Sequence, residues 1–413
     1  MSPEISSNIR KHRRCLGWSQ ERLAEAAGVS LGTVRKLEQG GVARVETLAQ
    51  LAEALDVETA ALFAPAASPE PIRDDGPSRQ QLLELRRHLM PPVGLADVAR
   101  PLGEGAPLTG LLRDIDDAHA LYQADRYDSV ARRLPGILSA AEGRVRMADG
   151  DEQRHQALMT RARALFLTGK YLTQVRQYDL AYQALASGIR DAREVDEMST
   201  AAVGVIGMCW LLLRQDRFAE CADLASDTAD VVEPRISKAA PEELAIWGEL
   251  LLRVAAAAVR NNRKAEVKDA RRMAATAAHA IGREHTDFRT HWGPFGPATA
   301  EIKVIEDLSL KGDARGVLRR ADTGPLHLDS LKAHGTPTSN VWGRYRLDVA
   351  QAHGLAGAHH DATGELMGIY RSHPEWMRHQ PMARRVLEKV LATRTRTLTT
   401  DMRTLASHLG ING

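Results

Sequence analysis

The chain has 413 residues, 55 Lys and Arg against 53 Asp and Glu, and a formal net charge of +2. That length exceeds the need of one small bundle, so two or more domains are expected, and the near-neutral charge singles out no partner. Three cysteines (Cys15, Cys209, Cys221) without a C-x-x-C spacing exclude a disulfide framework and a thiolate zinc site, and fit a reducing compartment.

The chain opens on a charged helical pattern without signal-peptide character. Ile5–Leu16 is amphipathic and carries Arg10, Lys11, Arg13 and Arg14. Ser19 is a good N-cap for the next helix, opened by Gln20, in which Leu23, Ala24 and Ala27 recur at helical spacing. Gly28 supplies the positive φ of a sharp interhelical turn, Val29 plugs the corner, and Ser30 caps a second helix. Val34 and Leu37 face its core side, which leaves Leu31, Gly32, Thr33, Arg35, Lys36 and Gln39 outward. Gly40-Gly41 ends it. Val45–Leu55 and a short Glu58–Phe63 complete five helices. This is a helix-turn-helix pattern, whose second helix lies in the major groove of double-stranded DNA and presents its N-terminal residues to base edges.

Up to Phe63 eight basic residues balance eight acidic ones. Phosphate attraction is therefore modest, and useful affinity at cellular salt calls for a homodimer on two half-sites.

Ala64–Pro77 is rich in Pro, Ala and acidic residues and reads as a linker. Met90–Pro107 is a second irregular stretch. From Leu108 to Leu409 nothing alternates as a strand does, and helical patterns follow one another. The longest apolar run, Ala201–Leu213, is too short to span a bilayer and reads as a core helix. One signature recurs, Arg126-Tyr127-Asp128 with Ala131, Gln177-Tyr178-Asp179 with Ala181, and Arg217-Phe218-Ala219 with Ala222. An aromatic at the turn of a helical hairpin packs between both helices, and a small residue one turn later lets them approach. Each hairpin leaves a face unburied, so neighbours stack. Later pairs are Glu242–Asn261 with Ala265–Gly282, Ala298–Leu310 with Ala314–Ala321, Ser339–Leu355 with Asp361–Tyr370, and Pro381–Leu391 with Leu398–Leu409. The expected fold is all-α, with an N-terminal five-helix DNA-binding bundle (1–63), a linker (64–77) and an α-solenoid (78–413).

Residues 4–63 resemble the XRE family of phage-repressor-type helix-turn-helix domains. The resemblance implies that Gln20 clamps a phosphate and that Leu31, Gly32 and Lys36 occupy base-reading positions with Ser30 and Arg35 nearby. It also implies that Arg13 and Glu38 form a structural ion pair. Leu31 and Gly32 depart from family habit, since neither offers a hydrogen bond. Leu31 suits a thymine methyl and Lys36 a guanine, and the remainder of readout falls to DNA shape. The DNA-facing set is thus Gln20, Ser30, Leu31, Gly32, Thr33, Arg35, Lys36 and Gln39, with Arg10 and Arg14 from the first helix.

The hairpin signature resembles tetratricopeptide repeats, at a longer and uneven spacing. The two-part layout resembles actinobacterial regulators with an XRE head and a tetratricopeptide-like body, and more distantly the RRNPP peptide-responsive regulators. The segment His291–Thr299 and Leu347-Asp348-Val349-Ala350, with Pro374, Arg378 and Pro381, carry that likeness. It implies a body that dimerises and senses a peptide or small-molecule effector in its concave surface.

Nucleotide and catalytic motifs are missing, so no enzyme activity and no cofactor are expected. His353, His359 and His360, and the pair His285 and His291, lack the further ligands of a metal site. For a ligand groove the candidates are Asn340 and Arg344, which share a helix face, and Trp210 and Trp247 on first helices of hairpins. The reading is a sequence-specific transcriptional regulator, cytoplasmic, nucleoid-associated when bound to DNA, and without a membrane partner. The alternative is a solenoid scaffold for other proteins whose head does not bind DNA, and salt dependence separates the two.

Overall fold

The computed structural model describes residues 3–16, 18–41, 44–57, 59–62, 77–92, 107–287, 292–378, 380–393 and 398–411. These are helical, without a strand; one isolated antiparallel bridge joins His285 to Phe295. The head comprises α1 (Pro3–Cys15), α2 (Gln20–Ala26), α3 (Leu31–Glu38), α4 (Val45–Ala54) and a 3-10 turn at Thr59–Leu62. Ile5, Ile9, Leu23, Val34, Leu37, Leu48, Leu51, Leu55 and Leu62 form its core. The expected fifth helix is only that 3-10 turn, and Glu58 and Phe63 lie outside the described residues.

Residues 64–76 of the expected linker also lie outside them. At its far end the sequence reading missed α5 (Pro77–Leu89), which buries Leu85 completely and packs on helices of the body. The body continues with α6 (Leu108–Gln123), α7 (Tyr127–Met147), α8 (Asp151–Gln174), α9 (Tyr178–Glu194), α10 (Met198–Arg214), α11 (Phe218–Val231), α12 (Pro241–Arg260) and α13 (Lys264–Ile281). Then come α14 (Pro297–Leu310), α15 (Ala314–Arg320), α16 (Leu328–His334), α17 (Ser339–Leu355), α18 (His359–Ser372), α19 (Pro374–Arg378), α20 (Pro381–Ala392) and α21 (Thr400–Leu409).

One turn recurs between body helices. Asp125, Arg176, Asp196, Asp216, Asn262, Gly312 and Gly357 all have positive φ, and each stands two residues before a new helix. The following N–H closes back on the previous helix, as in Arg126 N to Leu121 O (2.9 Å), Gln177 N to Leu172 O (2.8 Å) and Arg217 N to Leu212 O (3.0 Å). This is the left-handed C-terminal cap, which satisfies orphan carbonyls and reverses the chain within two residues. Tyr127 and Phe218 at the first positions of their helices are buried, and Tyr178 is partly buried. Ala131, Ala181 and Ala222 are buried one turn on, as the hairpin signature requires.

The segment after α13 wedges into this stack. A Cβ at Gly207 would overlap the Trp292 ring, and one at Gly248 would overlap Phe295, so both glycines make room for aromatics. Glu284 fixes the wedge by accepting from Ala298 N (2.7 Å), Thr299 N (3.0 Å) and Thr299 Oγ1 (2.6 Å). The row also returns on itself. Ser339 Oγ on α17 donates to Gln123 O at the end of α6 (3.0 Å), and His373 pairs with Asp125 in the next turn (3.3 Å). Ala201–Leu213 lies within α10 and most of it is buried. No helix among the described residues is long and apolar enough to cross a membrane.

Candidate nucleic-acid interface

Both caps foreseen in the head are made. Ser19 Oγ accepts from Arg22 N and Ser30 Oγ from Thr33 N, each at 3.1 Å. Gly28 has φ +65°, and Val29 N closes the turn on Ala24 O at 2.9 Å. At the other end of α3, Gly40 N bonds Leu37 O and Gly41 N bonds Lys36 O. A two-turn helix has little stability of its own, so α3 depends on these caps and on Val34 and Leu37 in the core.

Glu38 holds α3 to the rest of the head. Arg13 meets it through two parallel bonds, Nε to Oε1 at 2.5 Å and Nη2 to Oε2 at 2.9 Å, with both side chains almost fully buried. Arg13 also donates to Trp18 O (2.6 Å). Gln20 Nε2 donates to the same carboxylate at 2.7 Å, and Arg10 donates to the backbone carbonyl of Glu38. A paired and fully bonded buried carboxylate fixes geometry. Two residues assigned to DNA, Gln20 and Arg10, are therefore engaged within the head.

The outward side of α3 presents Ser30, Gly32, Arg35, Lys36 and Gln39 to solvent. Thr33 is partly buried and shares a hydroxyl contact with Ser30 at 2.8 Å. Leu31, expected to face outward, is partly buried and packs on the head core. Apolar packing against that core draws its side chain away from solvent. The Arg14 side chain lies outside the described residues. Arg35 and Lys36 remain as the exposed cations of this helix.

The N-terminus of α2 touches the body. Ser19 N donates to Leu310 O at 3.0 Å, and the Asn262 side-chain amide stands 3.2 Å from the Gln20 amide oxygen and against the Glu21 carboxylate. Arg22 lies against Gly312, whose positive φ forms the α14–α15 turn. Sequence reasoning missed Asn262, Leu310 and Gly312. Their only signal was an Asn or Gly two residues before a helix, which marks a turn and says nothing of what rests on it.

Among the groove candidates, Trp210 and Arg344 are partly buried, and Asn340 accepts from Thr338 Oγ1 at 2.7 Å beside the α17 N-terminus. Trp247 is a correction. It is 4% exposed and belongs to the continuous core, because α12 is packed between α11 and α13. Arg344 has no ion pair with Asp348 within 4 Å; its neighbour Arg346 is the paired one, to Glu365 and Asp322. Among the described residues no group of three or more His, Cys, Asp or Glu could hold a metal ion. His291 lies outside those residues.

Caps, turn, braced second helix and exposed cations define a helix-turn-helix domain. Residues 9–62 match the family model for Helix-turn-helix, which places the head in the XRE type. No curated protein and no solved structure matches the chain.

Proposed function

We propose that the chain is a sequence-specific DNA-binding transcriptional regulator. It acts as a homodimer, and an effector in its tetratricopeptide-like body modulates DNA binding. The observation that carries the proposal is α3 itself, a helix locked by Arg13 and Glu38 that turns Arg35 and Lys36 to solvent within a domain matching the helix-turn-helix family. In the major groove Arg35 and Lys36 reach guanine edges or flanking phosphates, while the short polar residues Ser30 and Thr33 approach closely. With eight basic and eight acidic residues in the head, two heads on half-sites about 34–36 Å apart supply the affinity one lacks.

The head–body contact supports the modulation. Gln20, implied as a phosphate clamp, bonds Glu38 and faces Asn262. Holding a phosphate requires the body to give up that contact, so a body that releases α2 raises DNA affinity and one that retains it lowers affinity. The effector acts through a difference in its affinity for the two arrangements.

The test is selection from random duplexes with the full chain, followed by titration at rising salt. The proposal expects an enriched inverted repeat whose affinity falls steeply with salt. Arg35→Ala with Lys36→Ala should lower that affinity by about 2–5 kcal/mol, the sum of two direct contacts. Undiminished binding by the double variant, or no duplex preference at any salt, contradicts it and favours a protein-binding scaffold.

A further inference from the structure

The contact that seats the head also marks out a surface of the body. Ser19 N reaches Leu310 O, Asn262 faces the Gln20 amide, and Arg22 lies against Gly312. One short stretch of the head, Ser19–Arg22, thus touches both the α12–α13 turn and the α14–α15 turn, so the two turns are neighbours. Ion pairs between the hairpins, Arg271 with Asp307 at 2.7 Å and Arg260 with Glu306 at 3.4 Å, hold them side by side. The second helices of both hairpins, α13 and α15, start from these turns; Arg263 follows Asn262 and Lys311 follows Leu310.

Both helices start basic. Over residues 263–272 and 311–320, eight exposed Lys and Arg stand against three exposed Asp and Glu, in a chain whose net charge is only +2. Those acids are engaged. Glu266 pairs with Arg263 and Asp269 with Arg272, while Asp313 caps α15 by accepting from Gly316 N. Arg320 turns to Glu301. Lys264, Lys268, Lys311, Arg315 and Arg319 remain, and among the described residues none of the five has a carboxylate within 4 Å. Lys264 and Lys268 stand four apart on α13, and Arg315 and Arg319 four apart on α15, so each pair shares a helix face. On the head, Glu21 stands against Asn262 and Glu25 pairs with Arg22, so neither neutralises the strip.

A strip of unpaired cations matches a polyanion. Duplex DNA carries one negative charge per about 1.7 Å of its axis and gains entropy by releasing condensed counterions to Lys and Arg. Two observations favour a duplex over an acidic protein. No large apolar side chain of the strip is exposed, whereas a protein interface is built on such side chains. The strip also adjoins the seat of a helix-turn-helix head whose eight basic and eight acidic residues give it little attraction for phosphate. Reach is no obstacle. Fourteen residues separate Leu62 from Pro77, a span of at most about 50 Å, so a released body stays within about 15 base pairs of its head.

We propose that α13 and α15 form a second DNA-contacting surface, which takes the phosphate backbone of the duplex flanking the site read by α3. The proposal rests on the reading that the chain binds DNA, and it assigns to the body the sequence-independent affinity that the neutral head lacks. Contacts of this kind fix position and orientation and read no bases. The five cations are exposed while α2 sits in its seat, so the body engages flanking duplex before the head is released.

The test compares the full chain with a variant combining Lys264→Gln, Lys268→Gln, Arg315→Gln and Arg319→Gln. Each is titrated on the selected operator alone and on the operator extended by about 20 base pairs at each end, beyond the reach of the body. The parent should bind the extended duplex at least about tenfold tighter, and the variant should lose that gain yet keep its sequence preference. The salt slope of the variant should be smaller by about 3–4 per chain, near 0.9 for each phosphate given up. Lys264→Arg with Lys268→Arg keeps the charge and should bind as the parent does. The substitutions are at exposed positions, so melting temperatures should match. No gain from the flanks in the parent, an equal gain in the four-site variant, or an unchanged salt slope overturns the proposal. If selection yields no operator, an extended duplex of arbitrary sequence takes its place. Binding that survives Arg35→Ala with Lys36→Ala but is lost in the four-site variant upholds the strip while readout by α3 falls. Binding that is absent from the parent at low salt, or equal in all three proteins, removes the strip.

Discussion

The head and the body differ in how completely their buried charge is neutralised. In the head, Arg13 and Glu38 satisfy each other, Gln20 and Trp18 O complete the set, and the remaining cations of α3 face water. In the body, burial pushes the carboxyls of Glu249 and Asp348 up to about 7, beside pairs such as Arg271 with Asp307 that are closed as in the head. A closed network fixes one geometry, which suits a helix that must dock in a groove of fixed shape. Carboxyls whose charge burial disfavours make the body's stability depend on pH.

The largest effect expected from breaking this contrast is in the head. Glu38→Ala leaves the Arg13 guanidinium buried without its carboxylate, with only Trp18 O to accept from it, and should cost about 3–5 kcal/mol. Because the cores of head and body are separate clusters, the expected result is loss of the head's protection from proteolysis while the body's thermal transition persists. A variant whose head stays fully protected would show that the ion pair does not hold α3.

The body should respond to pH near neutrality. Burial raises the Glu249 carboxyl to about 7 from an ordinary 4.5 against the opposing pull of Arg253, the Gly293 N–H and Lys170. The folded chain thus binds more protons than the unfolded chain between those values. This contribution to stability is full below about 4.5 and is lost as pH rises through about 7. Lys170, pushed down to about 8 by burial, has the reverse slope, its contribution being lost as pH falls through about 8. The body is therefore least helped near neutrality. Thermal melts across this range should show the lower slope flattened by Glu249→Gln; an unaltered slope in that variant would remove Glu249 from the explanation.

The smallest effect concerns the contact between the two regions. Asn262→Gly keeps the positive φ of the turn and deletes the amide that faces Gln20. Losing one partly buried hydrogen bond is worth about 1 kcal/mol, so DNA affinity should rise by up to about fivefold. Equal or weaker DNA binding would mean that the contact does not restrain the head.

The legible parts of this architecture were those encoded locally. Ser19, Gly28 and Ser30 announced caps and a turn through chemistry that needs no tertiary partner, and Tyr127 and Phe218 marked hairpins through the burial their size demands. Leu31 misled because its outward register on an ideal helix ignores the head core against which it packs. The α5 helix was missed because its inward leucines, Leu82, Leu85 and Leu89, stand among charged residues, and α7 and α9 give them something to cover. Arg176 in a left-handed turn has no local excuse either; L-residues other than Asn, Asp and Gly resist that conformation by roughly 1–2 kcal/mol. Ser339 and Gln123 lie 216 residues apart, so the contact that closes the row of helices belongs to no local pattern.

The most direct test of the central claim is genome-wide. The tagged protein is immunoprecipitated from its own host and the bound DNA sequenced, beside the Arg35→Ala, Lys36→Ala variant. A few sharp peaks sharing an inverted repeat, absent from the variant, are the predicted result. Peaks that persist in the variant, or peaks without a shared sequence, would contradict readout by α3.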